Sequence, residues 1–305
     1  MGDAIADVYR TFEYRKQCPD SPGTPVGVEL GVDLRPGGAA NVALNVAALT
    51  RDCKVDLIAV LDQDLARSIK SLSSNRVDMS HAVFVIDGPC LLKERIIIEG
   101  MEGSFVARLD NMTRITLSAE RSLEWHLAQY LSENDPDLIL LSDYACGAFT
   151  PGVLESLLPF RDRLLVDTKE TDLSIFSGSL LAKLNAGEYA RVLERDHSPE
   201  RHFKFFVVTR GDAGARLIIN RSVPGGSIVN SIDISARRVD AVDVCGCGDT
   251  FLAGLAAGLL RFDDPFEATT FANAAASTVV TQPRTAVADL RKTLESIGRE
   301  HEACE

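Results

Sequence analysis

Asp243-Val244-Cys245-Gly246-Cys247-Gly248-Asp249-Thr250 runs directly into Phe251-Leu252-Ala253-Gly254-Leu255-Ala256-Ala257-Gly258-Leu259-Leu260. Two glycines let the backbone turn tightly and approach a ligand with no Cβ in the way. The apolar run predicts a helix over 250–261, whose first turn offers unpaired N–H groups and the positive end of a dipole. Such a loop can hold a phosphoryl group. Asp249, at the helix entrance, is placed to take a proton from an attacking hydroxyl. The same residues also read as a glycine-rich turn with Asp249 as a simple N-cap. The rest of the chain has to decide between the two.

Outward from this stretch, apolar β-branched runs alternate with helical periodicity. Strands are expected at 55–61, 82–86, 137–141, 163–167, 203–209 and 215–219. Helices are expected at 39–49, 119–132, 187–195, 250–261, 265–281 and 288–299. Leu138-Ile139-Leu140-Leu141 and Phe205-Phe206-Val207-Val208 are continuous apolar runs. Strands of that kind are buried on both faces, so the pattern predicts a mostly parallel sheet covered by helices, a three-layer α/β/α sandwich. Two regions break the rhythm. Residues 8–34 are polar with scattered Pro and Gly, and residues 91–98 and 104–109 form a hairpin pattern around Glu99-Gly100-Met101-Glu102-Gly103. The expectation is one domain over 1–305, with a small β lid built from about 8–34 and 88–112.

The chain has 305 residues, 46% of them hydrophobic, and a formal net charge of −12. That charge argues against a general nucleic-acid or anionic-membrane binder, while leaving room for a local basic pocket. The start has no basic region followed by an apolar segment, and no apolar run is long enough to span a bilayer. The seven cysteines, Cys18, Cys53, Cys90, Cys146, Cys245, Cys247 and Cys304, are odd in number and scattered. Free thiols in a reducing cytoplasm are the expected setting. Cys245 and Cys247 could join a metal site, but no second Cys/His cluster accompanies them, and they read far more readily as small residues lining a turn.

Three further motifs carry chemistry. In Arg35-Pro36-Gly37-Gly38-Ala39-Ala40-Asn41 paired glycines open a helix, so backbone N–H groups could meet sugar hydroxyls or phosphate, and Asn41 can both donate and accept. A tight turn before a small-residue helix explains the same letters. Thr209-Arg210-Gly211-Asp212-Ala213-Gly214 follows an apolar strand, where α/β sheets bind ligands, or it is a β-turn in a hairpin. Asn185-Ala186-Gly187-Glu188 offers an amide and a carboxylate suited to hydrated Mg²⁺ near phosphates, or to starting a helix.

Taken in this order, the four motifs resemble those of the ribokinase-like (PfkB-type) sugar kinases, over nearly the whole chain. Within that family the chain is most similar to the D-glycero-β-D-manno-heptose 7-phosphate kinases of lipopolysaccharide precursor synthesis. Arg35 to Ala43, Lys93-x-Arg95, Ala107-Arg108-Leu109-Asp110, Ser142-Asp143-Tyr144, Val166-Asp167-Thr168-Lys169-x-x-Asp172 and Phe271-Ala272-Asn273-Ala274-Ala275-Ala276 carry that closer match. The resemblance implies ATP-dependent, Mg²⁺-requiring phosphorylation of the anomeric hydroxyl of such a heptose phosphate. It implies Asp249 as the base and the N–H groups of Gly246, Cys247 and Gly248 as the anion hole. Asp7, Gly37, Gly38, Asn41, Asp143 and Lys169 would serve the sugar, with Lys93 and Arg108 for its phosphate. Thr209, Gly211, Gly214 and Asn273 would serve the nucleotide. Asn185 and Glu188 would organise Mg²⁺, Glu188 through water. A homodimer through the β lid is a further expectation. Another carbohydrate or nucleoside kinase of the same fold, or a non-catalytic regulatory protein on that fold, are the competing readings; retention of Asp249, Asn41 and Glu188 argues against the last.

Three departures from the family pattern matter. The family opens with an apolar strand ending in Gly-Asp, whereas Gly2-Asp3 here follows Met1, so the opening strand is expected to be missing, its neighbours left with unpaired backbone groups, and the segment 3–7 displaced. A Lys usual two residues after the Tyr of Ser-Asp-Tyr is Cys146, which carries no fixed charge. The loop reads Cys-Gly-Cys-Gly-Asp rather than Thr-Gly-Ala-Gly-Asp, a change the backbone donors can survive.

Overall fold

The computed structural model describes residues 1–85, 91–100, 105–223 and 226–299. Cys90, Cys304, Ile86 and the expected hairpin connection over 101–104 lie outside them. In chain order the strands and helices are β1 (Ala4–Gln17), β2 (Pro25–Gly38), α1 (Ala39–Leu49), β3 (Val55–Asp56), β4 (Val60–Leu61), α2 (Gln63–Leu72), β5 (Val77–Asp78), β6 (Val83–Phe84), β7 (Leu92–Glu99) and β8 (Phe105–Asn111). There follow α3 (Leu117–Glu133), β9 (Ile139–Asp143), α4 (Pro151–Leu157), β10 (Leu164–Thr168), β11 (Ser179–Asn185), α5 (Ala186–Leu193), β12 (Phe203–Thr209), β13 (Ala215–Val223), β14 (Gly226–Ile234), α6 (Cys247–Phe262), α7 (Pro265–Val279) and α8 (Leu290–Ser296).

The main sheet has the order β14-β13-β12-β11-β10-β9. β9 through β12 are parallel, and β13 and β14 add an antiparallel edge. Alternation along the strands sorts side chains between two helical layers. Leu164, Val166, Ala182 and Leu184 pack with Leu123, Leu127 and Val153 of α3 and α4. Leu165, Leu181 and Val207 pack with Val42 of α1 and with Phe251, Leu252 and Leu255 of α6. The fold is therefore a three-layer α/β/α ribokinase-like sandwich with a parallel-rich sheet. Asp167 and Lys183 lie in step with Leu165 and Leu181, so they face the layer that holds α6.

A second sheet has the order β2-β1-β7-β8. β1 pairs antiparallel with β2, parallel with β7, and β7 antiparallel with β8. The polar stretch 8–34, expected only as part of a β lid, is two long strands, and along β2 Val26, Val28, Leu30, Val32 and Leu34 alternate with glycine and acidic residues. The run 55–61, expected as one strand, is two short ones, since Val55-Asp56 pairs with Val77-Asp78 and Val60-Leu61 with Val83-Phe84. Helix α8 stops at Ser296, short of the expected 299. Helices α2 and α4 were missed, although Asp62 and Thr150 cap them by accepting from the N–H groups of Leu65 and Val153.

Met1–Asp3 bridge the space between β9 and residue 58. The Met1 α-amino group donates to Leu140 O at 2.6 Å, Ser142 N–H donates to Met1 O at 3.1 Å, and Gly2 N–H donates to Ile58 O at 3.2 Å. A groove of about 450 Å³, lined by Leu57, Leu138, Leu140 and Tyr130 among others, continues beyond Met1 toward the start of β9. Contrary to the expected displacement, Asp3 is packed in place: its Oδ2 accepts from the N–H groups of Tyr144 and Cys146.

Candidate active site

Gly246 caps α6 in a left-handed conformation, φ 78, and a Cβ there would lie 2.7 Å from Asn41 Nδ2. Only glycine meets both demands. The N–H groups that follow open the first turn of α6, with Asp249 in it. A Cβ on Gly248 would lie 3.2 Å from Lys183 Nζ, so the loop rests directly over that ammonium. Lys183 is buried and ion-paired with Asp167 Oδ2 at 2.5 Å. The other Asp167 oxygen, Oδ1, and Thr250 Oγ1 are buried with no hydrogen-bond partner among the described residues.

Asp249 is 5% exposed, and burial pushes its carboxyl up to about 6, opposed by its hydrogen bonds. Asn41 Nδ2 donates to Oδ2 at 3.0 Å and Tyr144 Oη to Oδ1 at 3.1 Å. The Asn41 amide is itself held, since Asn45 Nδ2 donates to Asn41 Oδ1 at 2.9 Å.

The remaining sugar-site expectations converge from the second sheet and the ends of β9 and β10. Asp7 is buried and ion-paired with Arg95 at 2.6 Å, and Thr285 Oγ1 donates to its other oxygen at 3.3 Å. Gly37 lies against Asp7 so closely that a Cβ would overlap the carboxylate. Gly38, φ 57, turns the chain from β2 into α1. The ammonium groups of Lys93 and Lys169 lie over the Tyr144 ring, 4.5 and 5.1 Å from its centre. Burial holds the Lys93 ammonium below its usual range. Asp143 is buried, accepts from Thr168 Oγ1 at 2.6 Å and Ala145 N–H at 2.8 Å, and is pushed upward by burial. Arg108 stands apart: half-exposed, it makes a two-pronged contact with Asp110 on the same strand. Cys146 is buried against Ile5 and Leu91, and burial pushes its thiol up to about 11.

Of the residues expected to serve the nucleotide, Asn185 and Thr209 are neighbours at the C-terminal ends of β11 and β12. Gly211 and Gly214 close the turn after β12, through Gly214 N–H to Gly211 O at 3.0 Å and Arg210 N–H to Gly214 O at 2.7 Å. Asn273 of α7 donates to Ser235 O at 2.9 Å. Asn185 and Glu188 form a capping box at the start of α5. Glu188 Oε1 also accepts from the Lys169 ammonium. With Oε1 on the ammonium and Oε2 accepting from Asn185 N–H, Glu188 would meet a Mg²⁺ through water rather than directly. Among the described residues no group of three or more His, Cys, Asp or Glu side chains could hold a metal alone, and Mg²⁺ in phosphate sites usually keeps its waters.

Sequence reasoning missed Lys183, Thr285 and the contact of Tyr144 with Asp249. Lys183 was legible as the one charge inside Leu180-Leu181-Ala182-Lys183-Leu184. Thr285 follows no motif.

Polar groups at the strand ends of the sheet, and a carboxylate at a glycine-capped helix entrance beside a buried lysine, make an arrangement able to hold a phosphoryl group and take up a proton. Residues 159–292 match the model of the pfkB family carbohydrate kinases. The chain is 30% identical to a bifunctional protein HldE of Coxiella burnetii over 98% of this chain and 64% of that protein, and 32% identical to the HldE of Alkalilimnicola ehrlichii over 96% and 62%. The chain thus spans less than two thirds of the length of these relatives. In fold it is similar to phosphofructokinase-2 from Escherichia coli (TM-score 0.72, 16% identity, covering 100% of this chain and 99% of the other). It is also similar to Arabidopsis thaliana ribokinase (TM-score 0.66, 17% identity, 96% of each chain). No helix among the described residues is long and apolar enough to cross a membrane.

Proposed function

We propose that this chain uses ATP to phosphorylate the anomeric hydroxyl of D-glycero-β-D-manno-heptose 7-phosphate. The observation that carries this reading is the buried Asp249 at the entrance of α6, with Lys93, Lys169 and Lys183 gathered around it in an acidic chain. Asp249 accepts the proton of the acceptor hydroxyl as the oxygen attacks the γ-phosphorus. The N–H groups of Gly246, Cys247 and Gly248 receive the phosphoryl oxygens, and the α6 dipole and Lys183 offset their charge. Asp7, Gly37, Gly38, Asn41 and Asp143 orient the sugar. Lys93, with Arg108 freed from Asp110, meets the phosphate of the acceptor, because a doubly charged substrate needs compensating cations. Thr209, Gly211, Gly214 and Asn273 hold the nucleotide. Asn185 and Glu188 would hold Mg²⁺ through water, and the ion would supply charge neutralisation of the phosphates. The motif resemblance to heptose 7-phosphate kinases supports the choice of acceptor.

The chain works as one domain over 1–305, with β1, β2, β7 and β8 as a lid, in the cytoplasm where its thiols stay reduced. The lid is also the surface for a homodimer. Val28, Leu30 and Val32 of β2 are each about half exposed, on a strand whose register shifts at Leu30. The decisive experiment is ADP release over a panel of sugars and their phosphates. Fastest turnover with the heptose 7-phosphate is expected. Equal turnover of unphosphorylated sugars overturns the acceptor, and no release with any acceptor overturns the activity.

A further inference from the structure

We propose that Tyr144 is a positioning residue that orients the Asp249 carboxylate and tunes its proton affinity by donating its hydroxyl to Oδ1. The inference rests on reading Asp249 as the base and goes beyond it, since it assigns a task to a side chain the reaction scheme does not otherwise use.

Each oxygen of Asp249 holds one protein donor, Tyr144 Oη on Oδ1 at 3.1 Å and Asn41 Nδ2 on Oδ2 at 3.0 Å. A carboxylate oxygen accepts two hydrogen bonds, so an acceptor hydroxyl can still reach it. Burial, and Asp249 itself, push the Tyr144 phenol well above its ordinary range. It therefore keeps its proton and can act toward the carboxylate only as a donor.

Tyr144 is itself fixed. Its N–H and that of Cys146 both donate to Asp3 Oδ2, at 2.8 and 3.2 Å. Ala145 between them has φ 59, a left-handed conformation held by its N–H bond to Asp143 Oδ1 at 2.8 Å. The Lys93 and Lys169 ammonium groups over the ring attract its electrons and strengthen the O–H as a donor. Facing Asp249 are Asn41 of α1, Lys93 of β7, Tyr144 after β9, Asp167 of β10, Lys169 beyond it, Lys183 of β11 and Cys247 of its own helix. Of these, Tyr144 and Asn41 touch the carboxylate with hydrogen bonds, and a donor to the ionised form lowers its pKa.

The test is Tyr144→Phe in the full chain, which removes one oxygen. Two readouts are taken. The first is the ¹³C-carboxyl titration of Asp249, identified by its loss in Asp249→Asn. The second is the acid limb of kcat/KM with the acceptor that the panel selects. Both midpoints should rise by about one pH unit, with the KM for nucleotide unchanged. Incorporation of 3-fluorotyrosine at 144, a stronger donor, should move both down. Equal carboxyl midpoints in wild type and Tyr144→Phe overturn the proposal, even if the variant is less stable. Should Tyr144→Phe fail to fold, the absence of a shift with fluorotyrosine overturns it. The carboxyl titration needs no substrate, so a wild-type protein with no turnover sinks the reading of Asp249 as the base while leaving the tuning measurable.

Discussion

Asn41 Nδ2 lies 3.0 Å from Asp249 Oδ2, a contact that spans 208 residues of sequence. It joins the first turn of α1 to the first turn of α6. Behind it, Ala288 N–H donates to Asn45 Oδ1 at 2.9 Å and Asn45 donates to Asn41, so the proposed base is aimed by a relay of amides. A buried relay with every link satisfied specifies one arrangement.

Replacing the base keeps its shape but not its chemistry. Asp249→Asn should lower kcat by roughly 10²–10⁴, with little change in nucleotide affinity. Near-normal turnover in the initial-rate assay would remove Asp249 from that role.

The pH dependence follows from the same carboxyl. Its folded pKa, about 6, lies above the ordinary aspartate value of 3.8. The folded state therefore binds more protons than the unfolded one between about pH 4 and 6, and this group costs stability as pH rises through that window, on the order of 3 kcal/mol. Urea unfolding of the wild type and Asp249→Asn at pH 4.5 and 7.5 measures it, and the variant should lose less stability over that interval. Turnover should fall below about pH 6 as the base is protonated. A rate flat down to pH 4.5 contradicts the assignment.

The two arginines of the lid should behave differently. Arg95 and Asp7 are nearly inaccessible and paired at 2.6 Å. Removing one partner leaves a buried charge, so Arg95→Met should cost about 3–5 kcal/mol, read by thermal unfolding. Arg108, with its side chain 50% exposed, should cost at most about 1 kcal/mol when changed to Ala. Arg108→Ala should instead weaken a phosphorylated sugar far more than its unphosphorylated form, by isothermal titration. Equal losses would make Arg108 a general sugar contact.

Gly38→Ala tests the turn into α1. The residue has φ 57, and a new Cβ would overlap Asp3 O. A loss of at least about 1–3 kcal/mol is expected from backbone strain alone. An unchanged denaturation midpoint would show that the turn relaxes freely.

Association through β2 is checked by sedimentation. Leu30, 54% exposed, sits at the register shift of β2 between the half-exposed Val28 and Val32. Leu30→Lys should turn a dimer into a monomer without loss of helical signal, and an unchanged mass would place any interface elsewhere.

The sequence alone determined the layer order and the anchors of the site. Continuous apolar strands have to be covered on both faces, and a Gly-x-Gly-Asp before a ten-residue apolar run allows little but a turn and a buried helix, so β12, α1, α6 and α7 were legible to within a few residues. Motif letters placed Asp249, Asn41, Asn185 and Glu188 at element ends, because such ends are local chemistry. The tertiary structure decided what was not local. The alternation of Val26, Val28, Leu30, Val32 and Leu34 marks β2 as a strand, but only the tertiary structure sets its shifted register against β1 and the parallel pairing of β1 with β7. The orphaned Asp167 Oδ1, the ammonium of Lys183 beneath Gly248, the hydroxyl of Tyr144 on the base and the closure by Thr285 are all contacts between distant segments. Their energies depend on burial and on distances of 2.5–3.3 Å, and only the packing of the two sheets around α6 sets those.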